Sequence, residues 1–230
     1  MGCGSSTAAL PSDQIGVEYF KVHSRAEPLR AMLNHKGCEY TEQPVSLPGW
    51  MNKKISGKDN NEFGLFLPVV SFKGKRIGQF NATLRAIGIE HGYYDPSDWK
   101  QAIKIDWIVD TWAGCLNKSA PILLPSTKGK DTKDKMWDEV LEKQWTPLLK
   151  HCEKQLESTG STWLAGDKIT IADCCMVMLF FFWFENQRFK AAHKLAPYWA
   201  NLPCPKLKEY SARLKTEFAS HINNSTMYEI

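Results

Sequence analysis

The strongest constraint on the fold is a strand, a short loop and a helix start that follow one another near the beginning of this 230-residue chain. Residues 16–20 are rich in β-branched and aromatic side chains, which suits a β-strand. Ser24, followed three residues later by Glu27, predicts a capping box, and Pro28 suits the first helical turn. Tyr19 is therefore expected at the C-terminal end of a strand, beside a helix N-terminus that favours an anion such as a thiolate.

The chain continues to alternate between strand and helix patterns up to residue 93. Further strands are expected over residues 38–45, 67–72 and 76–80, and a second helix over residues 81–91. The last two strands flank a Lys-Gly-Lys turn that is typical of a β-hairpin. Residues 46–64 are polar and predict a loop with one short helical segment at residues 50–55. This order predicts a mixed α/β domain over residues 15–93.

From residue 97 onward the pattern is helical, which predicts a second domain over residues 97–222. Thr170 and Asp173 form an acidic variant of the capping box, directly before an apolar run over residues 174–184. That run is shorter than the ~20 residues that a membrane-spanning helix requires, so it predicts a buried core helix. Further helices are expected over residues 131–157, with a bend at Pro147, and over residues 205–218.

Charge and cysteine content exclude several classes of function. Lys and Arg number 29 against 25 Asp and Glu, and the basic residues are dispersed, so a nucleic-acid partner is not expected. The seven cysteines include no Cys-x-x-Cys pair. This argues against a disulfide framework, a metal site and a thiol–disulfide oxidoreductase. The sequence therefore predicts a cytoplasmic protein with reduced thiols and no bound metal.

The first residues match a lipid-attachment pattern. Gly2 is placed as an N-myristoylation acceptor, and Cys3 beside it suits palmitoylation. One myristoyl chain anchors a protein only weakly, so the second acyl chain would matter. The pattern predicts a flexible tail over residues 1–14 and membrane association through an acylated N-terminus. The alternative is a Gly/Ser-rich tail that carries no lipid, and no cleavable signal sequence is expected.

Two motifs resemble those of the glutathione transferases, in particular the sigma-like class that includes prostaglandin D synthases. Residues 19–27, Tyr-Phe-Lys-Val-His-Ser-Arg-Ala-Glu, are similar to that class's Tyr-Phe-x-x-Arg-Gly-Arg-Ala-Glu. Residues 164–173 are similar to the Leu-x-Gly-Asp-x-x-Thr-x-Ala-Asp element of its C-terminal domain. The resemblance implies a thioredoxin-like N-terminal domain (residues 15–93) and an all-helical C-terminal domain (residues 97–222).

The resemblance also implies a glutathione site and gives roles to its residues. Tyr19 would activate the glutathione thiol as a hydrogen-bond donor, and Arg25 would support the Tyr19 hydroxyl. The positions implied to contact glutathione are Trp50, Lys54, Leu67, Pro68, Gln79 and Phe80. Pro68 would follow a cis peptide bond, which lets the backbone of the preceding residue pair with the cysteinyl part of glutathione.

Glutathione is then the co-substrate, and the second substrate is a hydrophobic electrophile. The resemblance implies that Tyr19, Trp107, Ile108 and the helix around Trp112 line the pocket for this electrophile. It further implies a homodimer. A prostaglandin isomerase reaction is a variant within the same class.

The chain departs from the family's pattern where the γ-glutamyl group of glutathione is held. Phe80 occupies the position of a serine that binds the γ-glutamyl carboxylate, and its bulk is expected where that carboxylate lies. Asn81 is expected to cap the following helix and to donate from its amide. Gly114 occupies the position of an aspartate that reaches the amine from the neighbouring subunit, and Asp110, one turn earlier, is expected to point elsewhere.

Three functions stay open. The retained tyrosine favours a glutathione transferase. Phe80, Gly114 and the N-terminal lipidation pattern favour a non-catalytic, membrane-tethered scaffold or assembly subunit. The third function is a carrier that binds glutathione without turning it over.

Overall fold

The computed structural model describes residues 14–57, 66–123 and 129–228. The predicted lipidation sites Gly2 and Cys3 lie outside them. In the N-terminal part, the strands are β1 (Ile15–Tyr19), β2 (Tyr40–Pro44), β3 (Val69–Phe72) and β4 (Lys75–Ile77). The helices of this part are α1 (Glu27–Lys36), α2 (Leu47–Ser56) and α3 (Phe80–His91).

These strands form one mixed sheet. β1 runs parallel to β2 and antiparallel to β3, and β3 pairs with β4 in the hairpin, so the strand order is β2-β1-β3-β4. α1 provides the crossover between the two parallel strands, as a parallel pair requires. The predicted thioredoxin-like arrangement is confirmed.

The C-terminal part is helical. Its helices are α4 (Trp99–Leu123), α5 (Lys130–Val140), α6 (Thr146–Thr159), α7 (Ile171–Val177), α8 (Ala192–Asn201), α9 (Pro205–Glu217) and α10 (Ala219–Asn224). The π-helical segment Leu141–Trp145 lies directly before α6, and the π-helical segment Met178–Phe184 lies directly after α7. Pro147 lies in the first turn of α6, directly after the π-helical segment that separates α6 from α5, and the bend at Pro147 stays a prediction.

The capping box before the buried helix is confirmed. Asp173 accepts hydrogen bonds from the backbone N–H and the hydroxyl of Thr170, both at 2.8 Å. It also accepts from the Leu164 N–H (3.1 Å) and the Tyr210 hydroxyl (2.8 Å). Burial raises the pKa of Asp173, although these donors act in the opposite direction. Residues 174–184 are all buried, as predicted. None of the helices in the described ranges combines the length and apolar character needed to cross a membrane.

Three predictions about the N-terminal part are wrong at the level of single elements. The helical segment predicted at residues 50–55 is part of a longer, ten-residue helix, α2, whose preceding Ser46 side chain accepts from the Gly49 N–H (3.2 Å), and residues 58–64 of the predicted loop lie outside the described residues. The last strand ends at Ile77, and Phe80 already begins α3. The capping box predicted at the start of α1 is absent, because Ala26 is the cap residue and makes no side-chain cap bond.

The Glu27 carboxylate is instead part of a buried network between the two domains. It pairs with His23 Nδ1 (2.8 Å), with Arg30 (3.1 Å) and with His221 Nε2 of α10 (3.0 Å). Arg30 also forms a two-pronged pair with Glu42 of β2. Burial alone would raise the pKa of Glu27, but the close approach of His221, the hydrogen bond with His23 and the charge of Arg30 outweigh it, so this pKa lies well below its usual range.

Candidate functional site

Three of the predicted site residues lie side by side at one end of the sheet. The β1–β3 register, continued one residue past its last pair, brings Pro68 opposite Tyr19. Val70 and Ile77 are the last pair of β3 and β4, so Pro68, just before β3, and Gln79, two residues after β4, belong to the same end of the sheet. The Leu67–Pro68 peptide bond is cis, as the resemblance implies. This end of the sheet therefore assembles the tyrosine, the cis-proline turn and the start of α3.

Tyr19 is the last residue of β1, and its side chain is almost wholly inside the protein. It is 5% exposed, and its ring lies 5.7 Å from the ring of Phe20. Its carbonyl oxygen accepts from the N–H of Val45, just beyond β2. Within the described parts of the chain, its hydroxyl makes no hydrogen bond. That donor is thus left for a ligand.

Arg25 lies in the loop between β1 and α1, but its guanidinium does not donate to Tyr19. It donates to the side-chain oxygen of Asn117 on α4. The side chain thereby bridges the N-terminal domain and the first long helix of the C-terminal domain. The resemblance implies that Arg25 supports the Tyr19 hydroxyl. Within the described residues, no direct hydrogen bond joins these two side chains.

α2 carries the two residues implied to contact the glycyl end of glutathione. Trp50 is the buried residue of this helix, and Lys54 is exposed. The Lys54 ammonium lies 5.9 Å from the centre of the Trp50 ring and 5.7 Å from that of Phe66. Such cation–π contacts hold the charge in place without neutralising it. Phe66 directly precedes Leu67–Pro68, so Lys54 lies close to the cis-proline turn.

Gln79 has a backbone conformation that non-glycine residues rarely adopt. Its φ is +72° and its ψ is 105°, and it occupies the cap position of α3. Thr83 fixes the turn, because both its N–H (3.0 Å) and its hydroxyl (3.2 Å) donate to the Gln79 carbonyl. Strain of this kind costs roughly 1–3 kcal/mol and is concentrated at functional sites.

Phe80 does not project from the start of α3 as expected. Its side chain is 4% exposed, and its ring lies 5.3 Å from that of Trp112, inside the core. The expectation that Phe80 places its bulk at the carboxylate position is therefore not met. Asn81 does not cap α3, because it lies inside the helix and its amide donates to Asp110 of α4. The first N–H groups of α3 remain suited to an anion.

Comparisons with known proteins decide the family. A family model described as the glutathione S-transferase C-terminal domain matches residues 118–217. The chain is 30% identical to the probable glutathione S-transferase 6 of Caenorhabditis elegans over 157 residues, which are 67% of this chain and 73% of that protein. The chain belongs to the glutathione S-transferase family.

Solved structures show the same fold. The structure of NaGST-2 has a TM-score of 0.74 at 19% identity and covers 94% of this chain and 99% of its own. The structure of rat hPGDS complexed with a quinoline has a TM-score of 0.71 at 18% identity, covering 94% of this chain and 100% of its own. At such identities the likeness concerns the fold of this transferase-family chain and not its substrates.

The position of Gly114 in this transferase is open. Apart from its own helix, a Cβ atom placed there would meet no atom of the described residues within 4 Å. Asp110, one turn earlier, is paired with Arg85 (3.1 Å) and accepts from Asn81, so its carboxylate is held against α3. The expectation that Asp110 points elsewhere agrees with these contacts, and the space at Gly114 would accept the aspartate that the resemblance implies at this position.

The residues of the predicted electrophile pocket differ in burial. Trp107 is 43% exposed, and its ring lies tilted against His151 of α6, with 3.9 Å between ring centres. Ile108 and Trp112 are buried in the core. That these residues line a pocket beside Tyr19 stays a prediction.

One contribution to the site of this transferase was missed at the sequence level. Glu18, beside Tyr19 in β1, is buried and pairs with Lys53 of α2 and with Arg76 of β4 (2.8 Å). These pairs tie α2 and the hairpin to the strand that carries the tyrosine. The available signal was a charged residue inside a strand of otherwise apolar and aromatic residues.

Proposed function

We propose that this transferase-family protein conjugates the glutathione thiol to a hydrophobic electrophile, with Tyr19 as the residue that stabilises the thiolate. The observation that carries the proposal is the alignment of Tyr19, Pro68 and Gln79 at one end of the sheet. The Tyr19 hydroxyl has no partner there within the described parts of the chain. A free thiol is only a few per cent thiolate at neutral pH. A donor aimed at the sulfur favours the charged form, and two pKa units correspond to about 2.7 kcal/mol.

The other parts of glutathione find matching chemistry around this point. The Lys54 ammonium suits the glycyl carboxylate, and the backbone at Leu67 suits the cysteinyl amide. The N–H groups at the start of α3, beyond Gln79, suit the γ-glutamyl carboxylate. We assign the protein to the sigma-like class on the motif around Tyr19.

The first experiment compares Tyr19→Phe with Tyr40→Phe, which removes a hydroxyl at the opposite end of the sheet. Conjugation of glutathione to 1-chloro-2,4-dinitrobenzene is measured across pH. Tyr19→Phe should lower the rate about 10- to 100-fold at neutral pH and less at alkaline pH, where glutathione ionises unaided. Tyr40→Phe should retain the wild-type profile. Equal profiles for both variants, or no conjugation by the wild type, would reject the proposed chemistry.

We further propose a homodimer that uses the exposed face of α4. Trp99, Ile103 and Trp107 recur at four-residue spacing there and are 43–67% exposed. A row of exposed large apolar side chains is typical of an interaction surface. Sedimentation equilibrium should give a dimer for the wild type and a monomer for Ile103→Asp. A wild-type monomer would contradict this assignment.

A second candidate function, a membrane-tethered scaffold, is favoured by a different observation. Leu47, Met51 and Ile55 form an exposed apolar row on α2, with exposures of 46–80%. Together with acylation at Gly2 and Cys3, this row would give the two weak anchors that stable membrane binding requires. Otherwise the protein would remain in the cytoplasm.

The scaffold function is tested separately from catalysis. The full chain, co-expressed with an N-myristoyltransferase, is mixed with phosphatidylcholine vesicles and floated on a gradient. Gly2→Ala and Ile55→Glu should each reduce the floated fraction, and Tyr19→Phe should not. Equal flotation of Gly2→Ala and wild type would reject acyl tethering. Wild-type flotation together with full conjugation activity would show that tethering does not replace catalysis.

A further inference from the structure

The loop that follows Tyr19 is held by a buried tryptophan of the C-terminal domain. This loop, residues 20–26, joins β1 to α1. The indole N–H of Trp183, in the π-helical segment Met178–Phe184, donates to the carbonyl of His23 (3.1 Å). Trp183 is 1% exposed. A buried donor that loses its acceptor is costly, so this bond favours one position of the loop.

The side chain of His23 is held as well as its carbonyl. Its ring stacks on that of Phe182, with 4.2 Å between ring centres, and the ring of Tyr228 lies 4.7 Å away. Its Nδ1 forms a hydrogen bond with the Glu27 carboxylate (2.8 Å). His23 is therefore only 5% exposed, although it belongs to a loop. The sigma-like motif has arginine at this position, so the motif does not specify these contacts.

The C-terminal segment takes part in the same contact. Asn186, two residues past the π-helical segment, donates from its amide to the carbonyl of Phe182 (3.2 Å) and to that of Tyr228 (3.2 Å). These bonds hold the Tyr228 ring beside His23. We call Phe182, Trp183 and Tyr228 the His23 clamp, because all three hold this one loop residue from the C-terminal part of the chain.

Tyr19 is held differently on its two sides. In β1 it is fixed by the sheet, and its carbonyl accepts from the N–H of Val45 (3.0 Å). After Tyr19 the chain leaves the sheet, and the first loop residue is Phe20, whose ring lies 5.7 Å from the Tyr19 ring. The position of Phe20 depends on the rest of the loop. The His23 clamp therefore acts on the surroundings of Tyr19 through Phe20.

We propose that His23 is a positioning residue for Tyr19, through which the C-terminal domain keeps the Tyr19 hydroxyl aimed at the glutathione sulfur. This inference rests on the proposed transferase function. A donor stabilises charge fully only when it is held in place beforehand, and a misplacement of about 1 Å can cost roughly 100-fold in rate. Loosening the His23 clamp should therefore weaken stabilisation of the thiolate and leave the binding of glutathione at Lys54 unchanged.

The first test compares Trp183→Phe with Trp145→Phe. Both variants keep an aromatic ring and remove one buried indole N–H, but Trp145 donates to the Ser119 hydroxyl (3.1 Å) within the C-terminal domain. The measurements are the pH profile of conjugation to 1-chloro-2,4-dinitrobenzene, the thermal stability, and the affinity for S-methylglutathione, which has no ionisable thiol.

Trp183→Phe should lower the rate at neutral pH about 3- to 10-fold and move the profile to higher pH. Its affinity for S-methylglutathione should stay within about twofold of the wild type, because that ligand needs no thiolate. Trp145→Phe should lose a comparable amount of stability and keep the wild-type profile. This combination separates a positioning role of the clamp from a general loss of stability.

Hydrogen exchange of residues 20–26 in the unliganded protein gives a readout that needs no glutathione. Trp183→Phe should speed exchange in this loop about tenfold relative to Trp145→Phe. An active wild type whose Trp183→Phe variant keeps the wild-type pH profile would overturn the positioning role and leave the transferase function standing. A wild type without conjugation would reject the transferase function, and the positioning role with it.

A milder pair of variants serves if Trp183→Phe folds poorly. Tyr228 is only partly buried, so Tyr228→Ala is expected to fold. Met227→Ala, one residue earlier, is the control, because the ring against His23 is that of Tyr228. Tyr228→Ala should lower the neutral-pH rate about two- to fourfold and move the profile in the same direction. Identical profiles for these two variants would likewise overturn the positioning role.

Discussion

The two ends of the candidate glutathione site differ in what the chain retains. At the cysteinyl and glycyl end, Tyr19, Pro68 and Lys54 have the identities that the family motif implies. At the γ-glutamyl end, Gln79 has a strained backbone conformation with a positive φ, but the side chain of the next residue, Phe80, is buried in the core. The comparison teaches that a binding site can lose side-chain donors while the backbone that positioned them stays intact.

The difference has an energetic meaning. A charge-assisted hydrogen bond contributes roughly 1.5–3 kcal/mol, whereas backbone N–H groups at a helix start hold an anion without any particular side chain. We therefore expect this protein to bind glutathione mainly through the end where Lys54 and Tyr19 lie, and to bind its γ-glutamyl group through backbone alone.

The largest effect is expected at Lys54. Lys54→Met should weaken glutathione binding about 10- to 100-fold, because a charge-assisted bond to the glycyl carboxylate is lost. The measurement is calorimetric titration, repeated with a glutathione analogue whose glycyl carboxylate is replaced by an amide. The analogue should bind wild type and variant equally. An undiminished effect of Lys54→Met on the amide would show that the lysine acts elsewhere.

A smaller change in glutathione affinity, in this case a gain, is expected at Phe80. Phe80→Ser should bind glutathione up to about tenfold more tightly than Phe80→Ala, because only the serine restores a hydroxyl donor at the start of α3. Both variants lose the buried ring against Trp112, which costs roughly 3–5 kcal/mol of stability. Comparing the two thus cancels the packing loss. If serine and alanine bind alike, the γ-glutamyl end does not use this side chain.

Gly114→Asp should give a gain of only a few-fold in glutathione affinity. The space around Gly114 is open, so the added carboxylate is accommodated, and it is solvated, which limits its attraction for the γ-glutamyl amine. Because the resemblance implies an aspartate that acts from the neighbouring subunit, the gain should vanish in the Ile103→Asp background. A gain that persists in a monomer would mean that the site is completed within one chain.

The smallest effect is expected at the contact between Arg25 and Asn117. Asn117→Ala should lower the free energy of unfolding by less than about 1 kcal/mol, because the pair is exposed. It should leave the pKa of bound glutathione unchanged in a thiolate titration. Arg25→Ala should lower the free energy of unfolding by about the same amount as Asn117→Ala. If Arg25→Ala also raises the thiol pKa, the guanidinium supports Tyr19 through space, as the resemblance implies.

Local signals predicted much of the fold. The capping box at Thr170 and Asp173 is built from neighbours in sequence, and the buried run after it has a composition that suits only a core. The full length of α2 could not be predicted in the same way. Trp50 is its one buried residue, so the helix has no repeating apolar face, and the Pro-Gly pair at its start is typical of a loop. Helix α2 therefore depends on the Ser46 cap and on contacts with β1, such as the pair of Lys53 with Glu18.

The motif predicts which residues form the site, but it does not predict the partners of their side chains. Glu27 fits a capping pattern locally, and the structure gives its carboxylate to His221, far along the chain. Phe80 was expected to face a ligand because the family's serine does, and the packing of its ring on Trp112 decides otherwise. These contacts depend on which helix packs against the residue in the folded chain, and no short sequence window contains that information.

The buried carboxylate of Glu27 makes the two domains dependent on each other for folding. His23 belongs to the sheet's domain and His221 to the last helix, and both approach the same carboxylate. If α10 detached, Glu27 would lose the 3.0 Å contact with His221, and a buried carboxylate that loses a neighbouring partner destabilises the protein. Partly unfolded forms are thereby depopulated, so calorimetry should record a single cooperative transition for the whole chain.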